Sequence, residues 1–201
     1  MITRQKYQDY INVLKEELIP AMGCTEPIAL AYAAAVARKT LGEMPDKVVV
    51  EASGSIIKNV KSVIVPNTGH LKGINAAAAA GIVAGDPDKK LEVIATVSQE
   101  QIRQMKQFME EVPIQVVHME DGCTFDIIVT VFSGKSYAKV RIANFHTNIV
   151  LIEKNGEVLK SEAVSDDSEE GLTDRTLLDM EHIWDFAMTA DIDDVKALLD
   201  Q

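Results

Sequence analysis

The apolar pattern of the chain changes period at Pro113. Before that proline the hydrophobic residues recur mostly at helical spacing. After it they come in runs rich in valine, isoleucine and phenylalanine, which suit strands. A chain that segregates its helices and strands in this way points to an α+β fold rather than regular βαβ alternation. The expected order is N-terminal helices with a short strand region, then an antiparallel β-meander and C-terminal helices.

In the first half, Tyr7, Tyr10, Ile11, Leu14, Leu18 and Ile19 predict an amphipathic helix that ends near Pro20. Thr25 suits an N-cap and Pro27 a first turn, so a second helix is expected to start there. Its body, Ile28 to Thr40, is alanine-rich, and Gly42 can close it. Such small side chains let a neighbouring element approach closely. Val48, Val49 and Val50 read as a strand, and the apolar stretch from Ile56 to Val65 as partly helical. A helix is expected from about Leu71 to Ala84, stopped by Gly85-Asp86-Pro87. Leu91 to Val97 fits helix or strand alike. Ser98 with Gln101 makes a capping box for a helix from about Gln99 to Glu110.

In the second half, Ile114 to His118, Phe125 to Phe132, Ala138 to Phe145 and Ile149 to Glu153 are the strand runs. Gly134-Lys135 and Asn155-Gly156 are hairpin turns, the Asn-Gly pair being the stronger signal. Ser161 to Asp174 is polar, with Asp166, Asp167, Glu169 and Glu170, and reads as an exposed linker. Helical apolar content returns at Leu177, Leu178, Ile183, Trp184 and Phe186. The expected organisation is an α+β domain over 1–160, an acidic linker over 161–175, and the start of a helical region over 176–201. The last helix reaches Gln201 with no capping glycine, so the natural protein is expected to continue.

Composition narrows the partners. The 201 residues are 47% hydrophobic, enough for a sizeable core. The net charge of −11, from 31 acidic and 20 basic residues, repels phosphate backbones and argues against nucleic acid. The longest apolar stretch, Ile28 to Ala37, is shorter than the roughly 20 residues of a membrane-spanning helix. No secretory signal opens the sequence. Only Cys24 and Cys123 occur, too few for a disulfide framework, and a cytoplasmic setting follows.

Three segments carry candidate chemistry. Cys24 precedes a predicted helix start, where partial positive charge stabilises a thiolate. Glu26 and Thr25 stand beside it, and Gly23 leaves room for a bulky group. A small buried cysteine is the ordinary alternative. Pro66-Asn67-Thr68-Gly69-His70-Leu71-Lys72-Gly73 could hold a carboxylate or phosphate at the mouth of the next helix. It is neither a Walker A loop nor a dinucleotide fingerprint, and an ordinary turn is the alternative. Asn144-Phe145-His146-Thr147-Asn148 offers a histidine that titrates near neutral pH, or simply a turn between strands. His70, His118 and His182 lack zinc-site spacing, and Cys123 reads as a packing residue.

The run Gly23-Cys24-Thr25-Glu26-Pro27-Ile28-Ala29 resembles the L-cysteine desulfidase family, which is similar to the α-chain of iron–sulfur L-serine dehydratases. Ser55-Ile56-Ile57-Lys58-Asn59-Val60, Pro66-Asn67-Thr68-Gly69 and His146-Thr147-Asn148-Ile149 extend the resemblance in order along the chain. The resemblance implies a lyase of roughly twice this length, of which this chain is the N-terminal part and is inactive alone. It implies a 4Fe–4S cluster held by three cysteines, with Cys24 one metal ligand and the others in the missing C-terminal half. The substrate would be L-cysteine or L-serine, yielding pyruvate, ammonia and sulfide or water. The open iron would act as a Lewis acid. Asn67, Thr68 and Gly69 could then hold the substrate carboxylate, with Lys58, Asn59, Thr147 and Asn148 as further polar contacts. His146 and Glu26 are the candidates for the catalytic base. Beside this stand a cluster-free amino-acid-binding or regulatory domain without turnover, and a thiol enzyme with Cys24 as nucleophile. The apolar helices also permit a homodimer.

Overall fold

The structure is a computed structural model that describes residues 2–18, 20–21, 23–164 and 172–199. Ile19 and the acidic run at Asp166, Asp167, Glu169 and Glu170 lie outside the described residues. Two compact units emerge, one spanning Ala21–Asp166 and the other combining Met1–Pro20 with Asp167–Gln201. The fold is α+β, with N-terminal helices, a six-stranded mixed sheet and C-terminal helices.

The first element, α1 (Arg4–Glu17), opens on Thr3, whose hydroxyl accepts from the Lys6 N–H. In the larger unit, α2 (Thr25–Leu41) starts one residue earlier than the Thr25 cap suggested. Cys24 is its N-cap, with no side-chain capping bond, and Gly42 closes it with a φ of 92°. Strand β1 (Lys47–Ser53) leads directly into α3 (Gly54–Val60), capped by the Ser53 hydroxyl. Helix α4 (Gly73–Ala84) begins two residues later than expected, because Lys72 is still extended. The ambiguous segment near Leu91 holds a 3-10 turn over Pro87–Glu92 rather than a regular element. Helix α5 (Gln99–Glu111) carries both bonds of the Ser98–Gln101 capping box.

Five further strands follow: β2 (Ile114–Met119), β3 (Asp126–Ser133), β4 (Ser136–Ala143), β5 (Ile149–Lys154) and β6 (Glu157–Ser161). Their order is β2-β1-β3-β4-β5-β6, with β3 to β6 an antiparallel meander. Strand β2 departs from that pattern. It pairs parallel with β1 at the sheet edge. The chain between β1 and β2 is long enough, with three helices, to make the crossover that parallel pairing requires.

Alternation along the strands sets the core. Val48, Val50, Ala52, Ile127, Val129, Val131, Ala138, Val140 and Ile142 are all fully buried, and α2 lies against β3, β4 and α4. The alanine runs allow that packing. A Cβ placed at Gly81 of α4 would overlap the carbonyl oxygen of Ala31 in α2, so backbone meets backbone there.

The smaller unit has a core of Tyr10, Ile11 and Phe186, joined by Tyr7, Leu14, Leu177 and Leu178. It includes α6 (Met180–Thr189) and α7 (Ile192–Leu199). Glu16 of α1 accepts from Thr173 and from Arg175, the latter at 2.6 Å.

Candidate functional site

The larger unit brings three distant segments onto one carboxylate. Glu26 lies in the first turn of α2. The Cys24 thiol donates to its Oε2 at 3.1 Å, and the Asn59 amide, from α3, donates to its Oε1 at 3.3 Å. His146, from the β4–β5 loop, interacts with the same carboxylate by charge. Its ring packs at a tilt of 58° against Phe125, 4.5 Å between centroids, and is half-buried.

The electrostatics follow from these contacts. Burial pushes the Glu26 carboxyl up, but the bonds from Cys24, its own backbone N–H and Asn59, with the His146 charge, hold it below its ordinary value. Burial pulls His146 below the usual 6.5, opposed only in part by Glu26. At neutral pH the imidazole is neutral and the carboxylate ionised. Cys24 reverses the expectation of a thiolate. Partial burial of the thiol, then the bond to the Glu26 carboxylate, push it up. Burial, together with the negative neighbour, outweighs the helix-end dipole that the sequence suggested.

The loop at 66–69 lies beside this cluster. Gly23 has a φ of 144°, and a Cβ on it would come within 3.3 Å of Pro66 Cγ. The Asn67 amide donates to the Ile94 and Ala95 carbonyls, both at 3.1 Å. The buried Thr68 hydroxyl donates to the Val65 carbonyl at 2.7 Å. Gly69, with a φ of 66°, faces Ile102. These groups hold their own loop together. His70, Leu71 and Lys72 separate that loop from the start of α4 at Gly73, so it is not the helix mouth that was expected. Thr147 and Asn148 shape the loop that presents His146. The Asn148 amide donates to the Ala143 carbonyl at 3.0 Å, and the Ile149 N–H to the Thr147 carbonyl at 3.1 Å. Lys58 is exposed on α3 next to Asn59.

Sequence reasoning did not find the ion pair of Asp126 and Arg141. Asp126 is fully buried, and the Arg141 guanidinium donates to both of its oxygens, at 2.9 and 2.6 Å. The Cys123 N–H donates to the same carboxylate at 3.3 Å. An aspartate opening an otherwise apolar strand run was the available signal. Cys24 and Cys123 form no disulfide. Among the described residues, no group of three or more histidine, cysteine, aspartate or glutamate side chains is disposed to hold a metal ion.

A protein of Desulfitobacterium hafniense, named a UPF0597 protein, is 55% identical over 195 residues, which cover 97% of this chain and 45% of the relative. UPF0597 proteins of Treponema denticola and Lachnoclostridium phytofermentans are 41% and 43% identical over 98% and 97% of the chain, and each is covered to 46%. The chain is similar to UPF0597 proteins. It spans about half the length of the curated relatives it matches. No family model matches, and no solved structure does.

These relatives overturn the resemblance to the L-cysteine desulfidase family and the serine dehydratase α-chain. Proteins matched along nearly the whole chain carry the UPF0597 name instead. The reading as the N-terminal part of an iron–sulfur lyase goes with it, as does the metal-binding character it implied. The UPF0597 name gives the cluster-free amino-acid-binding or regulatory alternative no support either. One motif behind the resemblance is plain turn chemistry, since Asn67 and Thr68 satisfy carbonyls of their own surroundings. Among the described residues, no helix is long and apolar enough to cross a membrane.

Proposed function

We propose that Glu26 and His146 are the proton-handling pair of an acid–base site for a small polar metabolite. One observation carries the reading: the Glu26 carboxylate accepts from Cys24 at the N-cap of α2 and from Asn59 on α3, and the β4–β5 loop brings the half-buried His146 within its electrostatic reach. A neutral, half-buried imidazole can accept a proton near neutral pH, and an ionised carboxylate beside it stabilises the imidazolium that results. Asn59 fixes the carboxylate. Cys24 serves as a hydrogen-bond donor, because a thiol pushed up in this way is a poor nucleophile at neutral pH. Cys24 and Asn59 are both exposed, which leaves the pair open to a ligand.

The test is a titration of the His146 ring followed by NMR, in the native chain and in Glu26→Gln. The native midpoint is expected below the ordinary histidine value, and the variant's lower still, because the carboxylate that favours the imidazolium is gone. Cys24 should alkylate several-fold faster in the variant at mildly basic pH. Identical His146 midpoints in the two proteins would overturn the pair, and with it the function.

A further inference from the structure

Helix α6 is apolar on two faces, and within the smaller unit only one of them is covered. Phe186 points into the core of the smaller unit, against Tyr7 and Tyr10, with ring centroids 5.2 and 5.3 Å away. Met180, Trp184 and Met188 recur every fourth residue, so they form one stripe along the helix. They are 81%, 70% and 66% exposed. Ile192 and Leu199 of α7 are similarly open, at 69% and 66%. A helix apolar on both faces is ordinarily buried on both, and an exposed patch of tryptophan and methionine has the composition of an interface core.

The longer relatives carry further polypeptide alongside this helix. The D. hafniense protein matches 97% of this chain, so at most six or so residues fall outside the match, and α6 ends twelve residues before Gln201. The helix therefore lies within the matched region. In that relative the same polypeptide carries a further portion, more than half its length, with no counterpart here. A segment on the same polypeptide is present in equal amount and at high effective concentration, which makes it the natural cover for such a stripe.

We propose that the Met180–Trp184–Met188 stripe is the docking surface for the polypeptide that makes up the unmatched portion of the longer relatives. The contact is a hydrophobic one, with Trp184 at its centre. A second copy of this chain, or the rest of this chain itself, would be the competing occupant.

The test is oxidative footprinting. This chain is compared with a chimera in which it replaces the matched region of the D. hafniense protein. Dilute peroxide oxidises exposed methionines, and mass spectrometry reads Met180 and Met188 separately. Several-fold slower oxidation of both in the chimera is the expected result, and equal rates overturn the proposal. A second measurement uses this chain alone and does not depend on the chimera folding. Trp184 is the only tryptophan, so acrylamide quenching reports on the stripe directly. A monomer by light scattering with readily quenched fluorescence is expected. Shielding of Trp184 that grows with concentration assigns the stripe to a second copy, and shielding in the monomer assigns it to this chain. Either outcome sinks the proposal.

Discussion

His146 shows how one residue can link the site to the stability of the fold. Burial against Phe125 holds its folded-state titration below 6.5. Below that pH the unfolded chain therefore binds a proton that the folded chain resists, and stability falls as pH drops through this window. Above 6.5 the contribution is fully present. Replacing His146 by phenylalanine keeps an aromatic ring on Phe125 and removes the proton. The expected result is a flatter dependence of the urea midpoint on pH just below 6.5, and a slope identical to the native one would count against this account. That Cys24 and Glu26 are neighbours was plain in the sequence. That Asn59 bonds the same carboxylate, and that His146 lies within its electrostatic reach, was not, because no spacing rule relates a residue in a short helix to one in a distant hairpin loop. The thiolate expected at Cys24 failed for a local reason. The helix-end argument weighed the backbone dipole, but not the partial burial of the thiol or the opposing charge of the Glu26 carboxylate that the sequence placed beside it.

At the level of elements, apolar period predicted well wherever an element is amphipathic. Helix α5 lies where the capping box put it, with Ile102, Met105 and Phe108 on its buried face. The meander was equally legible, since the hairpin turns occur at Gly134 and at Asn155-Gly156, all in the positive-φ region. The parallel pairing of β2 with β1 was not legible, because it depends on where a three-helix crossover returns the chain and not on the composition of either strand. The alanine-rich helices lie between these cases. Their small side chains announced close packing, but only the structure shows which glycine makes it obligatory. Gly81 packs against the backbone of Ala31, which cannot rotate away as a side chain would. Gly81→Ala is therefore expected to cost about 3 kcal/mol, at the upper end for overpacking, although alanine is the better helix former. Chemical denaturation measures it. A neutral or stabilising effect would mean that α2 and α4 can separate without penalty.

For the whole molecule, the two units differ in how much core they own. The larger buries whole faces of α2, α4 and the sheet, and its polar groups include the buried Asp126, paired with the half-buried Arg141. Among the described residues, the core of the smaller is built on Tyr10, Ile11 and Phe186, with Arg175 pairing with Glu16 and Glu17 beside it. The Arg175–Glu17 contact is exposed on the Glu17 side and contributes little, whereas the half-buried Arg175–Glu16 contact ties the chain around Thr173 to α1 beside the aromatic cluster. Removing Phe186 leaves Tyr7 and Tyr10 facing a void where the ring had been. Phe186→Ala should cost about 3 kcal/mol or more, a large fraction of what so small a core can supply. Amide hydrogen exchange resolves where the damage falls. Protection should collapse in α1 and α6 while β3 and β4 exchange at native rates, because the Phe186 ring packs on Tyr7 and Tyr10 of α1. Equal loss of protection in α1 and β3 would show instead that the chain unfolds as one cooperative body, with the aromatic cluster supporting the sheet as well as its own helices.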